Sequence, residues 1–282
     1  MVSIHPTAIV EDGARLGKGV VVGPYCHIES ETRIGDGCRL DAHAIVRAYT
    51  EIGPGCTLHS HVTLGDVPQD FSFSLDTRSR LVVGAGCTFR EGFTAHRGTR
   101  EGTDTIIGDH VYCMAHSHVA HNCHVGDRAM LANGALLGGH VTIGPQAFIS
   151  GNCVVHQFCR VGRLAMISGL GAMSQDLPPF CLAHSTDTNK ISGVNVVGMR
   201  RAGMDAEARG AVKRAFRAIY VTRSTTREAI VETVSRGQTH PAVQEMLDFI
   251  AASTRGIGVY RRRRDPKVRE DLVAARHAWE GA

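Results

Sequence analysis

Aromatic residues make up only 5% of this 282-residue chain, with a single tryptophan, and no long apolar run occurs. The first lack argues for a narrow interior with room for aliphatic side chains only. The second, together with an N-terminus that carries no apolar segment, leads us to expect a soluble, cytoplasmic protein without stable membrane insertion. An excess of one charge is also missing, since 31 Lys and Arg face 27 Asp and Glu for a net charge of +4. That balance permits an acidic partner and makes no case for nucleic acid.

What the chain has is a repeat. From Ile4 through Val10, Leu16 and Val22 to Leu58 and Leu64, every sixth residue is aliphatic, and the register resumes at Val83 and Phe89 and again from Ile107 to Met173. Two positions earlier in each hexad stands a small or β-branched residue, as at Ala8, Ala14, Val20, Cys26 and Thr32. This period is neither helical nor a strand alternation. It predicts a triangular prism of short parallel strands with three hexads per coil, roughly nine or ten coils in all, because one hexad cannot bury its apolar face alone. Glycine often follows the aliphatic position, as in Ile34-Gly35 and Ile52-Gly53, which suits a chain that turns a corner every few residues.

The register breaks twice, from Asp66 to Arg80 and from Arg97 to Thr105. Insertions in a solenoid loop out on one face and often carry function. Nine cysteines do not signal disulfides here: Cys26, Cys38, Cys56, Cys87, Cys123, Cys153 and Cys159 fall on the small inward position and Cys113 on the aliphatic one. They read as small core residues of a reducing compartment, and only Cys181 lies outside the register.

After Pro178-Pro179 the pattern becomes helical. Ala211, Val212, Ala215, Phe216, Ile219 and Tyr220 share one helix face, Thr225 with Glu228 makes a capping box for a second helix, and Pro241 opens a third with the stripe Val243, Met246, Leu247, Ile250 and Ala251. The expected plan is a β-solenoid over residues 1–190 and an α-helical domain over 191–282. An extra helical tail is expected from about residue 259, in which a solvated basic run at Arg261 to Arg264 precedes a helical stretch from Asp265-Pro266 to Trp279.

Histidine carries the chemistry. Six of the sixteen, His96, His110, His116, His118, His121 and His124, lie between residues 96 and 124, with His140 and His156 beyond, and none takes an inward hexad position. His5, His27, His43, His59 and His110 read as ordinary surface histidines. For the cluster two readings compete. The interval from His116 to His121 resembles the γ-class carbonic anhydrases, hexapeptide solenoids that bind zinc through three histidines, but no histidine stands near Arg80 where a third ligand is needed. The alternative is a neutral imidazole that takes a proton from a hydroxyl or amine as it attacks an acyl donor.

Longer motifs favour the second. Phe89-Arg90-Glu91-Gly92 with Ala95-His96-Arg97-Gly98-Thr99, His118-Val119-Ala120-His121-Asn122-Cys123, Gly138-Gly139-His140-Val141 and Val155-His156-Gln157-Phe158-Cys159 follow one another in the chain. So do Gln69-Asp70, Gln175-Asp176-Leu177-Pro178-Pro179, Gly193-Val194-Asn195 and Ser253-Thr254-Arg255-Gly256-Ile257. Together they resemble the UDP-N-acetylglucosamine O-acyltransferases that begin lipid A synthesis, in the family's order and over most of residues 1–258.

The resemblance implies a left-handed parallel β-helix with a C-terminal helical domain, working as a homotrimer with active sites between subunits. It implies transfer of an R-3-hydroxyacyl chain from acyl carrier protein to the 3-hydroxyl of UDP-N-acetylglucosamine, with no metal or organic cofactor beyond the carrier's phosphopantetheine. By motif, His121 is the expected general base, Asn122 its neighbour, and the Gly139 N–H the oxyanion donor. Gln69 and Asp70 are expected at the sugar and acyl polar groups, His118, His140, His156 and Gln157 along the groove, and His96, Asn195 and Arg201 near the nucleotide and its phosphates. Met166 and Gly169 match the region that gauges acyl length, and a glycine there predicts a longer chain.

The sequence also departs from the family's pattern. Asn122 stands where an aspartate is usual, Ser72 where a lysine is usual, and Val197 where an acidic residue is common, while residues 184–190 form an unfamiliar, slightly longer loop. These departures bear on the acceptor, so N-acylation of a UDP-amino-sugar is the second reading. A zinc-dependent lyase, or a solenoid that binds acyl carrier protein without turnover, are more distant ones.

Overall fold

A computed structural model of the chain describes residues 1–184, 187–220 and 240–260. Each hexad yields one short extended segment between two corners, so Val21–Val22, His27–Ile28 and Arg33–Ile34 build three sides of one coil. Away from the two breaks, coil strands pair in parallel with the strand 18 residues further on, as in Val21↔Arg39 and Arg39↔Thr57. The coils are also bonded through their backbones, for example Val21 N–H to the Cys38 carbonyl at 2.9 Å, which satisfies two-residue strands that are too short to persist alone. The product is a left-handed parallel β-helix with sheets of 12, 9 and 8 strands. The first sheet holds ten coil strands before Lys190–Val194 folds back antiparallel on Cys181–Ala183, in line with the coil number that the repeat predicts.

The two breaks are insertions. Along the first sheet the step between paired strands widens from 18 residues to 31 between Thr57 and Thr88, and to 24 between Thr88 and Tyr112. Both extra segments leave the prism and return to it without disturbing the register of the coils that follow.

The core departs from expectation in one respect. It is mostly aliphatic, yet Phe89 and Phe93 are fully buried inside it with rings stacked at 4.9 Å. Space for them comes from the next coil, where Cys113 pairs with Phe89 and Ser117 is fully buried, so one large layer sits against one small layer. All nine cysteines are buried free thiols, including Cys181, which lies on the last coil strand. Several do more than fill space: the thiols of Cys26, Cys38, Cys123 and Cys153 each donate to a corner carbonyl 15 residues ahead at 3.0 to 3.2 Å. The glycines after the aliphatic position are required by close approach rather than by a left-handed backbone. A Cβ on Gly53 would stand 2.7 Å from the backbone of Gly84 in the next coil.

Among the described residues three helices follow: α1 (Val196–Arg201), α2 (Ala206–Tyr220) and α3 (Pro241–Ala251). Helix α2 buries Ala211, Val212, Ala215, Phe216 and Ile219 as its periodicity predicts. In α3 the stripe from Val243 to Ile250 is buried but Ala251 is exposed, and His240 caps the N-terminus through its ring. The ion pair between Arg163 and Glu245, at 2.7 Å, ties α3 to the β-helix. Arg160 adds a bond to the Phe249 carbonyl and lies 4.2 Å above the Phe249 ring, while the Asp176 carboxylate, 1% exposed, holds the guanidinium from below. Short helix α1 has no counterpart in the sequence reading. Val259–Tyr260 is a strand parallel to Lys190–Ile191 rather than the start of a helical tail. The capping box at Thr225 and Glu228, and the basic run with the helical stretch behind it, lie outside the described residues.

Candidate active site

His121 and Asn122 occupy the corner that follows the strand His118–Val119. Asn122 has φ of 58°, a left-handed conformation that asparagine tolerates because its short amide bonds locally. Its N–H donates to Thr105 Oγ1 at 2.7 Å, and its Oδ1 accepts from the Thr99 N–H at 3.1 Å and the Thr99 hydroxyl at 2.9 Å. A backbone N–H can only donate, so the amide atom facing Thr99 is oxygen. The same oxygen lies 3.0 Å from His121 Nδ1, which therefore carries the hydrogen and leaves the Nε2 lone pair free. The neutral side chain of Asn122 thus sets the tautomer that a base requires, without supplying a negative charge.

Gly139, one coil on, lies beneath the ring. A Cβ there would overlap the imidazole, 2.6 Å from Nε2, so only glycine fits under the base. The residue is buried, and among the described residues its N–H has no acceptor. An unfilled donor beside a free imidazole nitrogen is the geometry in which an oxyanion gains a partner as it forms.

Other histidines close around this pair. His140 meets His121 edge-on at 5.2 Å and stacks on Phe158 at 4.7 Å. His118 bonds Thr94 Oγ1 at 2.7 Å and meets His96 edge-on at 4.7 Å. Burial, and then the neighbouring His96, pull the His118 ring down to about 4, and burial also lowers His96 and His140. These three rings are therefore neutral at pH 7. His96 is only 6% exposed, although it takes no inward hexad position. On the loop from 66 to 80, the Asp70 carboxyl is held below its ordinary value by the backbone N–H and hydroxyl of Ser72, at 2.9 and 2.8 Å, with His121 contributing a weaker attraction.

A cavity of about 340 Å³ brings Gln69, His96, His118, His121 and Gly139 together on the second sheet. A second, of about 680 Å³, lies between the first sheet and α1 and contains Met166, Asn195, Val197 and Arg201 with apolar walls from Phe148 and Leu182. Within one chain the predicted site is thus divided between two faces. Asn195 is already engaged: its Oδ1 caps α1 through the Gly198 N–H and its Nδ2 donates to the Leu164 carbonyl, both at 2.9 Å. His156 and Gln157 line neither cavity. They sit at the corner before Phe158, where Arg255 approaches His156 Nδ1 at 3.4 Å. Gly169 follows Ser168 of the second cavity, and a Cβ there would meet only the Gly151 carbonyl at 3.7 Å, leaving room for side chains.

His116 and His121, the pair whose spacing resembles a zinc site, lie at successive corners on either side of one strand, and the His116 ring folds over Gly92. Residues whose spacing signals nothing prove important to the geometry: Thr94, Thr99 and Thr105 orient His118 and Asn122. Thr99 belongs to a recognisable motif, but only the fold shows what its hydroxyl reaches.

Residues 176–258 match the family described as UDP N-acetylglucosamine O-acyltransferase, domain 2, and residues 31–66 and 104–139 match the bacterial transferase hexapeptide repeats. The acyl-[acyl-carrier-protein]–UDP-N-acetylglucosamine O-acyltransferase of Thiobacillus denitrificans is 45% identical over 262 residues, covering 91% of this chain and 99% of that protein. That of Anaeromyxobacter dehalogenans is also 45% identical, over 256 residues, covering 90% and 99%. Among solved structures, the UDP-N-acetylglucosamine acyltransferase of Campylobacter jejuni superposes with a TM-score of 0.85 at 36% identity, covering 92% of this chain and 100% of that one.

Proposed function

The chain belongs to the acyl-[acyl-carrier-protein]–UDP-N-acetylglucosamine O-acyltransferase family, and from that premise we propose that it moves an R-3-hydroxyacyl chain from acyl carrier protein to the 3-hydroxyl of UDP-N-acetylglucosamine, the first step of lipid A synthesis. The observation that carries the mechanism is the oriented His121 above the open Gly139 N–H.

His121 Nε2 takes the proton of the sugar hydroxyl as its oxygen bonds to the thioester carbon. Charge moves to the carbonyl oxygen, where the Gly139 N–H stabilises it. Collapse of the tetrahedral intermediate breaks the carbon–sulfur bond, and the proton on His121 passes to the departing phosphopantetheine thiolate. Gln69 and Asp70 hold polar groups of the acceptor and acyl chain beside the base, with His118 and His140 along the groove. The donor's phosphopantetheine is the only prosthetic group in this scheme. Met166, Asn195 and Arg201, on the other cavity, face the nucleotide and acyl tail across a subunit boundary, so the active unit is a homotrimer, working in the cytoplasm.

Asn122 favours a second reading. A neutral amide gives the imidazolium no counter-charge, and an amine acceptor asks less of the base than a hydroxyl does. Thiol release from R-3-hydroxyacyl carrier protein, with UDP-N-acetylglucosamine or its 3-amino analogue, separates the two. Turnover of the hydroxyl sugar is the expected result, turnover of the amino sugar alone makes the chain an N-acyltransferase, and turnover of neither overturns the proposal.

A further inference from the structure

The two insertions of the β-helix are joined to each other. Gly98 N–H donates to the Arg80 carbonyl at 3.3 Å, Gly102 N–H to that of Arg78 at 3.1 Å, and Arg78 N–H to Glu101 Oε2 at 2.8 Å, while the buried Ser79 hydroxyl bonds the Gly98 carbonyl. At the centre of the junction is Arg97, 5% exposed. Its guanidinium carbon lies 5.1 Å from the ring centroids of both Tyr49, on the prism, and Phe73, on the first insertion. Its Nη1 donates to the Thr77 carbonyl at 2.6 Å and its backbone N–H to the Asp66 carbonyl at 3.1 Å. A flat cation that lies over two rings and is bonded at its edge suits arginine; a lysine ammonium has no plane to present to them.

Two residues beyond Arg97, Thr99 holds the oxygen of Asn122 that orients His121. Residues 97–99 therefore grip the first insertion on one side and the base on the other. Gln69 reaches the His121 cavity from the gripped segment, and Asp70 is next to it.

We propose that Arg97 is a positioning residue: clamped between Tyr49 and Phe73 and bonded to Thr77, it fixes the segment 67–77 so that Gln69 and Asp70 meet the acceptor beside His121. What Gln69 and Asp70 touch rests on the function proposed above. The position of the segment does not.

The test uses the full chain with Arg97→Lys and, because it leaves the buried arginine in place, Phe73→Leu. Amide exchange over 67–77 should rise at least about tenfold in both, with the coil strands unchanged. The KM for UDP-N-acetylglucosamine should rise about tenfold, with kcat within about threefold and the KM for acyl carrier protein unmoved. In a background that carries both Gln69→Ala and Asp70→Ala, Arg97→Lys should add no further rise in KM, since the groups it positions are gone. Unchanged exchange in both variants, or KM effects that multiply across the two backgrounds, would overturn the proposal. The exchange measurement decides the clamp even if the acceptor is another sugar, which keeps its failure distinct from failure of the functional reading.

Discussion

At the scale of single residues, the proposed transfer turns on which atoms hold protons. Thr99 assigns the Asn122 oxygen, that oxygen assigns the His121 tautomer, and the exposed lone pair then faces the acceptor. The glycine beneath is equally specific. Gly139→Ala should push the imidazole aside and lower kcat by about two orders of magnitude or more, with a melting temperature close to that of the parent, as stopped-time product assays and calorimetry would show. The buried histidines predict a pH effect on stability. His118 titrates at about 4 in the folded state against about 6.5 unfolded, so between these values the unfolded chain binds the additional proton. Stability contributed by the neutral ring is complete above about pH 6.5 and falls, by up to about 3 kcal/mol, as the pH drops toward 4. Denaturant titrations across this range should show that loss shrink in His118→Gln. His121 and Gly139 were legible in sequence because they sit in continuous motifs. Thr105 and Thr94 were not, since their partners lie 17 and 24 residues away and meet them only when coils stack.

At the scale of elements, the hexad register gave the strands their place because each inward side chain is decided locally, by a period that the fold repeats. Its limits were also physical. Low aromatic content suggested aliphatics alone, but Phe89 is accommodated by the small Cys113 of the next coil, a compensation between positions 24 residues apart. Helix α1 escapes the sequence reading because six residues carry too little periodicity. Docking of α3 depends on a buried charge. Asp176 accepts from the Arg160 backbone and guanidinium at 2.8 and 2.9 Å, and Arg160 in turn holds Phe249. Asp176→Ala leaves that guanidinium uncompensated and should cost about 3 kcal/mol, with amide exchange rising first in α3. Loss of protection spread evenly over the β-helix would contradict this link.

At the scale of the whole molecule, a prism presents its side chains on three faces, and the candidate site residues fall on two of them. Gln69, His96, His118, His121 and Gly139 gather on the second sheet, while Met166, Asn195 and Arg201 gather beside the first. Motifs name these candidates but not their division between faces, because that follows from where each corner lies on the coil. If copies complete each other, mixtures of inactive His121→Ala and Arg201→Ala chains should regain activity. Random assembly puts intact halves together at about a quarter of the boundaries. A mixture that stays inactive after co-refolding would place the whole site within one chain. The central claim, that an oriented His121 withdraws the acceptor's proton, is tested most directly by kcat for acyl transfer in His121→Ala with both substrates saturating. The expected result is a fall of about two to four orders of magnitude with little change in KM for the UDP-sugar. A kcat within tenfold of the parent would contradict it.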